Sequence, residues 1–163
     1  MGHFHYIDDN TELLSTFQDI LTIFEHSVEV FSCPVQYLAY CQNETYQPPD
    51  AIFTDIIMPK MNGHTLIQEL SAIFPQQRFI TVSGFQEKAN AQQQKTCLHL
   101  HKPFDFNELE HILSSIISCN QSIPELTAPQ CKCLQGTTEH CQPQQACPKL
   151  NNKVNHGIQV LIP

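Results

Sequence analysis

From Phe4 to about Cys119, short apolar runs alternate with segments whose apolar residues recur at helical spacing. This alternation constrains the fold more than any other feature of the chain. Phe4 to Ile7 is a strand-length run, and Leu13, Leu14, Phe17, Ile20, Leu21 and Phe24 then repeat every three or four residues. Val28 to Phe31 is a second, weaker strand, followed by a helix from Pro34 to about Gln42, where proline suits a first turn that has no partner for its missing N–H. Ala51 to Ile57 is apolar except for Thr54 and Asp55, as expected of a strand covered on both faces. Leu66, Ile67, Leu70, Ile73 and Phe74 mark a third helix, and Phe79 to Val82 a fourth strand running into Ser83-Gly84. Glu87 to Thr96 reads as a Gln-rich helix with little apolar stripe. Leu98 to His101 is the fifth strand, and Asp105 with Glu108 opens a helix carrying Phe106, Leu109, Ile112, Leu113, Ile116 and Ile117.

Strands alternating with helices require parallel pairing and right-handed crossovers, hence an α/β, doubly wound, five-stranded sheet with helices on both faces. Ligands in such folds gather at the carboxyl ends of the strands. The periodicity stops after Cys119, so the chain divides into a folded unit, residues 1–119, and a Cys-, Gln- and Pro-rich tail, residues 120–163.

The strand ends carry the chemistry. Asp8 and Asp9 end strand 1, Asp55 ends strand 3, Ser83 ends strand 4 and Lys102 ends strand 5, so the topology gathers all five at one edge. Converging carboxylates repel unless a cation lies between them, and oxygen donors suit Mg²⁺. A metal, a lysine and a hydroxyl around a carboxylate are equipped to receive a phosphoryl group, with the carboxylate as nucleophile. Taken singly, Asp8 and Asp9 could cap the first helix, Ser83-Gly84 could form an ordinary turn and Lys102 could snorkel from its strand. Jointly those readings need five coincidences at one edge.

Asp8-Asp9, Asp55-Ile56-Ile57-Met58-Pro59-Lys60-Met61-Asn62-Gly63, Ser83-Gly84 and Lys102-Pro103-Phe104, in this order, resemble a bacterial response-regulator receiver (CheY-like) domain over about residues 3–119. The resemblance implies a flavodoxin-like strand order 2-1-3-4-5. It implies that Asp55 accepts a phosphoryl group from a sensor histidine kinase or phosphotransfer protein of a two-component phosphorelay. Asp9, with Asp8, Asp55 and the backbone carbonyl of Ile57, would bind Mg²⁺; Ser83 would be the switch hydroxyl and Lys102 the phosphate-pairing cation. The peptide before Pro103 is often cis in this family. The phosphorylated site would draw Ser83 inward and move the loop after strand 4. Where the family commonly carries Tyr or Phe, three residues before the lysine, this chain has His99, either a switch ring or a polar residue on an edge strand. Ile57 and Phe85 are bulky and apolar where the family sets the approach of hydrolytic water, which implies slow loss of phosphate. Such a chain is a phosphoacceptor and not a turnover enzyme.

The chain has a formal charge of −8, and all of the acid excess lies before residue 120. That argues against direct nucleic-acid or anionic-membrane binding. The N-terminus lacks the basic start and apolar stretch of an export signal, and no apolar run reaches the roughly 20 residues that span a bilayer, so a cytoplasmic location is expected. Five of the eight cysteines, Cys119, Cys131, Cys133, Cys141 and Cys147, lie at or beyond the last helix. Cys131, Cys133, Cys141 and Cys147, with His140, could hold Zn²⁺ or an iron–sulfur cluster, pair as disulfides, or remain unligated in a disordered tail. Output is expected through contact with a target protein, since the tail cannot build a DNA-binding module. The alternatives are a non-phosphorylated pseudo-receiver that acts as an interaction module, and a metal or redox sensor centred on the tail cysteines.

Overall fold

A computed structural model describes residues 1–74, 77–84 and 96–121, with the side chains of 118–121 excepted. Its elements are β1 (His3–Ile7), α1 (Thr11–Ile23), β2 (Ser27–Phe31), α2 (Pro34–Tyr40), β3 (Ala51–Asp55), α3 (Gly63–Ile73), β4 (Phe79–Ser83), β5 (Leu98–His101) and α4 (Phe106–Gln121). The strands form one parallel sheet in the order β2-β1-β3-β4-β5. The Gln-rich helix expected over Glu87 to Thr96 lies outside the described residues, apart from Thr96. The tail beyond Gln121, with Cys131, Cys133, Cys141 and Cys147, lies outside them too, as does Phe85.

Alternation along β1 sorts the two cores. Phe4 and Tyr6 face one layer, in which Phe17 and Leu21 of α1 pack with Phe53, Val82, Leu109, Leu113 and Ile116. Ile7 faces the other, with Tyr37 of α2, Ile52, Leu66, Ile67, Leu70 and Phe79. The central strands β3 and β4 are buried at every residue, whereas β5 alternates buried with half-buried, which is the signature of an edge strand.

Local chemistry starts and stops these elements. The Asn10 side chain accepts from Glu12 N and Leu13 N, both at 3.1 Å, and caps α1. Asn62 does the same for Thr65 N at 2.9 Å in α3, and Asp105 for Glu108 N at 2.7 Å in α4. The Asp105 bond is the cap expected from the Asp105/Glu108 spacing. The third strand ends at Asp55, two residues before the apolar run does. At that point Ile57 N turns back to donate to Asp55 Oδ2 at 2.7 Å and Gly63 N donates to Ile56 O at 2.9 Å, so the backbone leaves the sheet.

That turn brings the start of α3 against the end of β3, and glycine makes it possible. A Cβ on Gly63 would lie 2.2 Å from the Asp55 carbonyl oxygen, and neither backbone can yield cheaply. Gly63→Ala is expected to lower stability by about 1–3 kcal/mol in urea denaturation, as forced overpacking does. An unchanged midpoint would show that the turn does not need this close approach.

Candidate functional site

Three strand ends meet at one ammonium. Lys102 Nζ lies 2.6 Å from Asp8 Oδ2 and 2.5 Å from Asp55 Oδ1, joining the residues that follow β1 and end β3 to the one that follows β5. Both carboxylates are almost fully buried. Asp8 also accepts from Asn10 N at 2.9 Å and from the Tyr6 hydroxyl, while Asp55 accepts from Ile57 N. Ser83 is buried at the end of β4, and its carbonyl accepts from Lys102 N at 2.8 Å, which holds the base of the lysine beside it. The Lys102–Pro103 peptide is cis.

Two buried acids sharing one base leave a net negative site. Burial raises the Asp55 titration above the ordinary carboxylate range, and the nearby Asp8 adds to this against the lowering effect of Lys102. Burial acts to lower Lys102, but its bonds to Asp55 and Asp8 outweigh that and hold the ammonium above its usual range. The lysine therefore stays charged, and the uncompensated carboxylate is the group that a further cation or a proton would relieve. The groups around the ammonium are oxygen donors, the kind that suits a hard divalent cation.

The other expected residues fall around this centre. Asp9 is exposed, so Asp8 is the buried member of the pair, and since Asn10 caps α1 neither aspartate is occupied as that cap. Ile57 is 65% exposed at the rim, with its N–H on Asp55. His99 is half-buried on β5, and its Nδ1 lies 2.9 Å from Thr81 Oγ1 on β4, one strand repeat before Ser83. Tyr6 was not anticipated as a site residue. Its spacing of two from Asp8 on a strand was the available signal, because that period puts both side chains on one face.

A response regulator receiver domain profile matches residues 4–114 of the chain. Among curated proteins, a stretch of 63 residues is 38% identical to the sensor kinase CckA of Brucella abortus, covering 37% of this chain and 7% of that kinase. Among solved structures, a CheY-like receiver domain from Methylobacillus flagellatus aligns with a TM-score of 0.63 at 25% identity, over 71% of this chain and 98% of that one. The receiver domain of a sensor histidine kinase from Pseudomonas aeruginosa, which holds a magnesium ion in its active-site cleft, aligns at 0.64 and 21% identity, over 72% and 98% of the chains. No helix among the described residues is long and apolar enough to cross a membrane.

Because folding raises the Asp55 titration, the ionised carboxylate is a cost to the folded state. That cost is absent below the ordinary carboxylate range, where the group is protonated in both states, and complete above the raised folded value. Asp55→Asn is therefore expected to be more stable than the parent at neutral pH, with the advantage shrinking as pH falls through that window. Equal stability of the two proteins across the range, by chemical denaturation, would contradict the electrostatic reading.

Proposed function

The chain belongs to the response regulator receiver domain family, and from that premise we propose that it is a phosphoacceptor of a two-component system, taking a phosphoryl group on Asp55 from a histidine kinase or phosphotransfer protein. The observation that carries this reading is the placement of Asp55 at the end of a fully buried strand, with Lys102 Nζ 2.5 Å from its Oδ1 and Asp8 behind the lysine.

The chain's own groups have separable tasks. The Ile57 N–H orients one oxygen of Asp55. A carboxylate oxygen of Asp55 attacks phosphorus in line, a P–O bond forms, and the P–N bond to the donor imidazole breaks with its electron pair leaving on nitrogen. Lys102 is already beside the acceptor and neutralises oxygens of the incoming group, and the buried Ser83 supplies a hydroxyl from the neighbouring strand end. Asp8, Asp55 and Asp9 are the carboxylates that would hold Mg²⁺, together with the Ile57 carbonyl. When bound, that ion neutralises the charge gathering on the transferred phosphoryl oxygens. The chain is an acceptor in this transfer and not a turnover catalyst. Signalling follows from contact with a protein target, with His99 carried along by movement at Ser83 through its bond to Thr81.

Incubation with acetyl phosphate and Mg²⁺, followed by mass spectrometry of the intact chain, is expected to show one added phosphoryl group that is lost in Asp55→Asn and without Mg²⁺. No adduct from either a small donor or a kinase would favour an unphosphorylated interaction module. The apolar Ile57 at the rim supports a phosphorylated form that lasts minutes or longer, and a lifetime of seconds would count against that assignment.

A further inference from the structure

A second cluster of ligating groups lies at the opposite end of β1 from Asp8. In the β1–β2 register His3 stands opposite Ser27 and His5 opposite Glu29, so the strand period puts all four on the face covered by α2. His3 Nε2 and His5 Nε2 are 3.0 Å apart, and Glu29 Oε1 is 3.9 Å from His3 Nε2. One ligand atom from each of the three residues falls within 4.8 Å of the others.

The far side of each imidazole is also engaged. His3 Nδ1 lies 2.9 Å from Ser27 Oγ, and His5 Nδ1 lies 2.8 Å from the Tyr37 hydroxyl. A ring that donates from Nδ1 to its hydroxyl presents a bare lone pair at Nε2. The two Nε2 atoms are hydrogen-bonded to each other, so one ring carries its proton there, and a divalent cation displacing that proton would meet both nitrogens beside a carboxylate. Hydroxyl partners on the outer nitrogens are also the arrangement that orients histidine ligands in metal sites.

We propose that His3 Nε2, His5 Nε2 and the Glu29 carboxylate form a binding site for a first-row divalent cation of the zinc type, with a fourth position open to solvent. Tetrahedral Zn²⁺ with ordinary Zn–N bonds separates two imidazole nitrogens by about 3.3 Å, close to the spacing already present. Glu29, with 42% of its side chain exposed, can swing the remaining distance, and the 26% exposure of His3 leaves an entry path. His5 is fully buried, walled by Phe31, Tyr37, Tyr40 and Tyr46, each with its ring centroid within 5.9 Å of the His5 ring. An N₂O donor set selects against Mg²⁺, which belongs with the all-oxygen cluster at the other end of the strand. Bound metal would clamp the edge strand β2 to β1 and, through Tyr37, to α2.

The tail cysteines require a test that separates two sources of zinc affinity. The full-length chain, and the same chain with Cys131, Cys133, Cys141 and Cys147 replaced by serine, are titrated with Zn²⁺ in excess Mg²⁺ while long-range ¹H–¹⁵N NMR reports the histidine rings. The expected result, in both, is that the Nε2 signals of His3 and His5 shift together and saturate at one equivalent, with a rise in melting temperature. Tyr37→Phe should weaken zinc binding about 10- to 100-fold, and His3→Ala or Glu29→Gln by more than that. Circular dichroism confirms that each variant is folded. The proposal is overturned if the His3 and His5 rings do not respond, if they respond through Nδ1, or if folded His3→Ala binds zinc as tightly as its parent.

Discussion

The ion pair that Lys102 shares between Asp8 and Asp55 is the constraint around which the sheet edge is organised. Two carboxylates this deeply buried are tolerable only with a cation in contact, and the residue supplying it follows β5, two strands away from β3. Correct register of β1, β3, β4 and β5 is thus a condition for charge compensation as well as for packing. The main-chain bond from Lys102 N to Ser83 O fixes the lysine's origin, and the bond from Ile57 N to Asp55 fixes that carboxylate's orientation. Gly63 lets α3 begin directly against the Asp55 carbonyl, so the loop below the acceptor is held by contact and not by chance.

The pair is incomplete by one charge, and in the proposed function this is what makes the edge reactive. Burial raises Asp55, while the lysine remains protonated, so the site is poised to accept a further cation and then a dianionic group. In the proposed cycle Lys102 moves from neutralising two carboxylates to neutralising a phosphoryl group. The half-buried His99, tied to Thr81 on the strand that carries Ser83, is in position to feel that change. At the other end of β1, imidazoles and a carboxylate offer a softer donor set, so in the two proposals one short strand would serve sites matched to different cations.

Much of this was legible in the sequence because burial writes itself in simple periods. Largely apolar runs at Ala51 and Phe79 marked the central strands, Leu98-His99-Leu100-His101 marked the edge, and topology alone brought Asp8, Asp55, Ser83 and Lys102 to one side. Hydrogen-bond choices were less legible. Three adjacent residues, Asp8, Asp9 and Asn10, are all competent helix caps, and only the structure shows Asn10 taking that role and freeing Asp8 for the lysine. β3 ends at Asp55, the acid that closes it, although apolarity continues to Ile57, and the chain turns there on a carboxylate bond that hydropathy does not report. Tyr6 and the His3–His5–Glu29 group depend on cross-strand neighbours, which no local pattern specifies.

The central claim is that Asp8, Asp55 and Lys102 form a preassembled site for Mg²⁺ and a phosphoryl group. Backbone ¹H–¹⁵N NMR of the full chain during addition of Mg²⁺ and then beryllofluoride, a phosphoryl mimic, tests it most directly. The account predicts that the amides of Ile57, Ser83 and Lys102 shift in concert, with a common midpoint, and that Asp55→Asn abolishes the beryllofluoride step. A folded chain in which those three amides stay unmoved by both additions would contradict it.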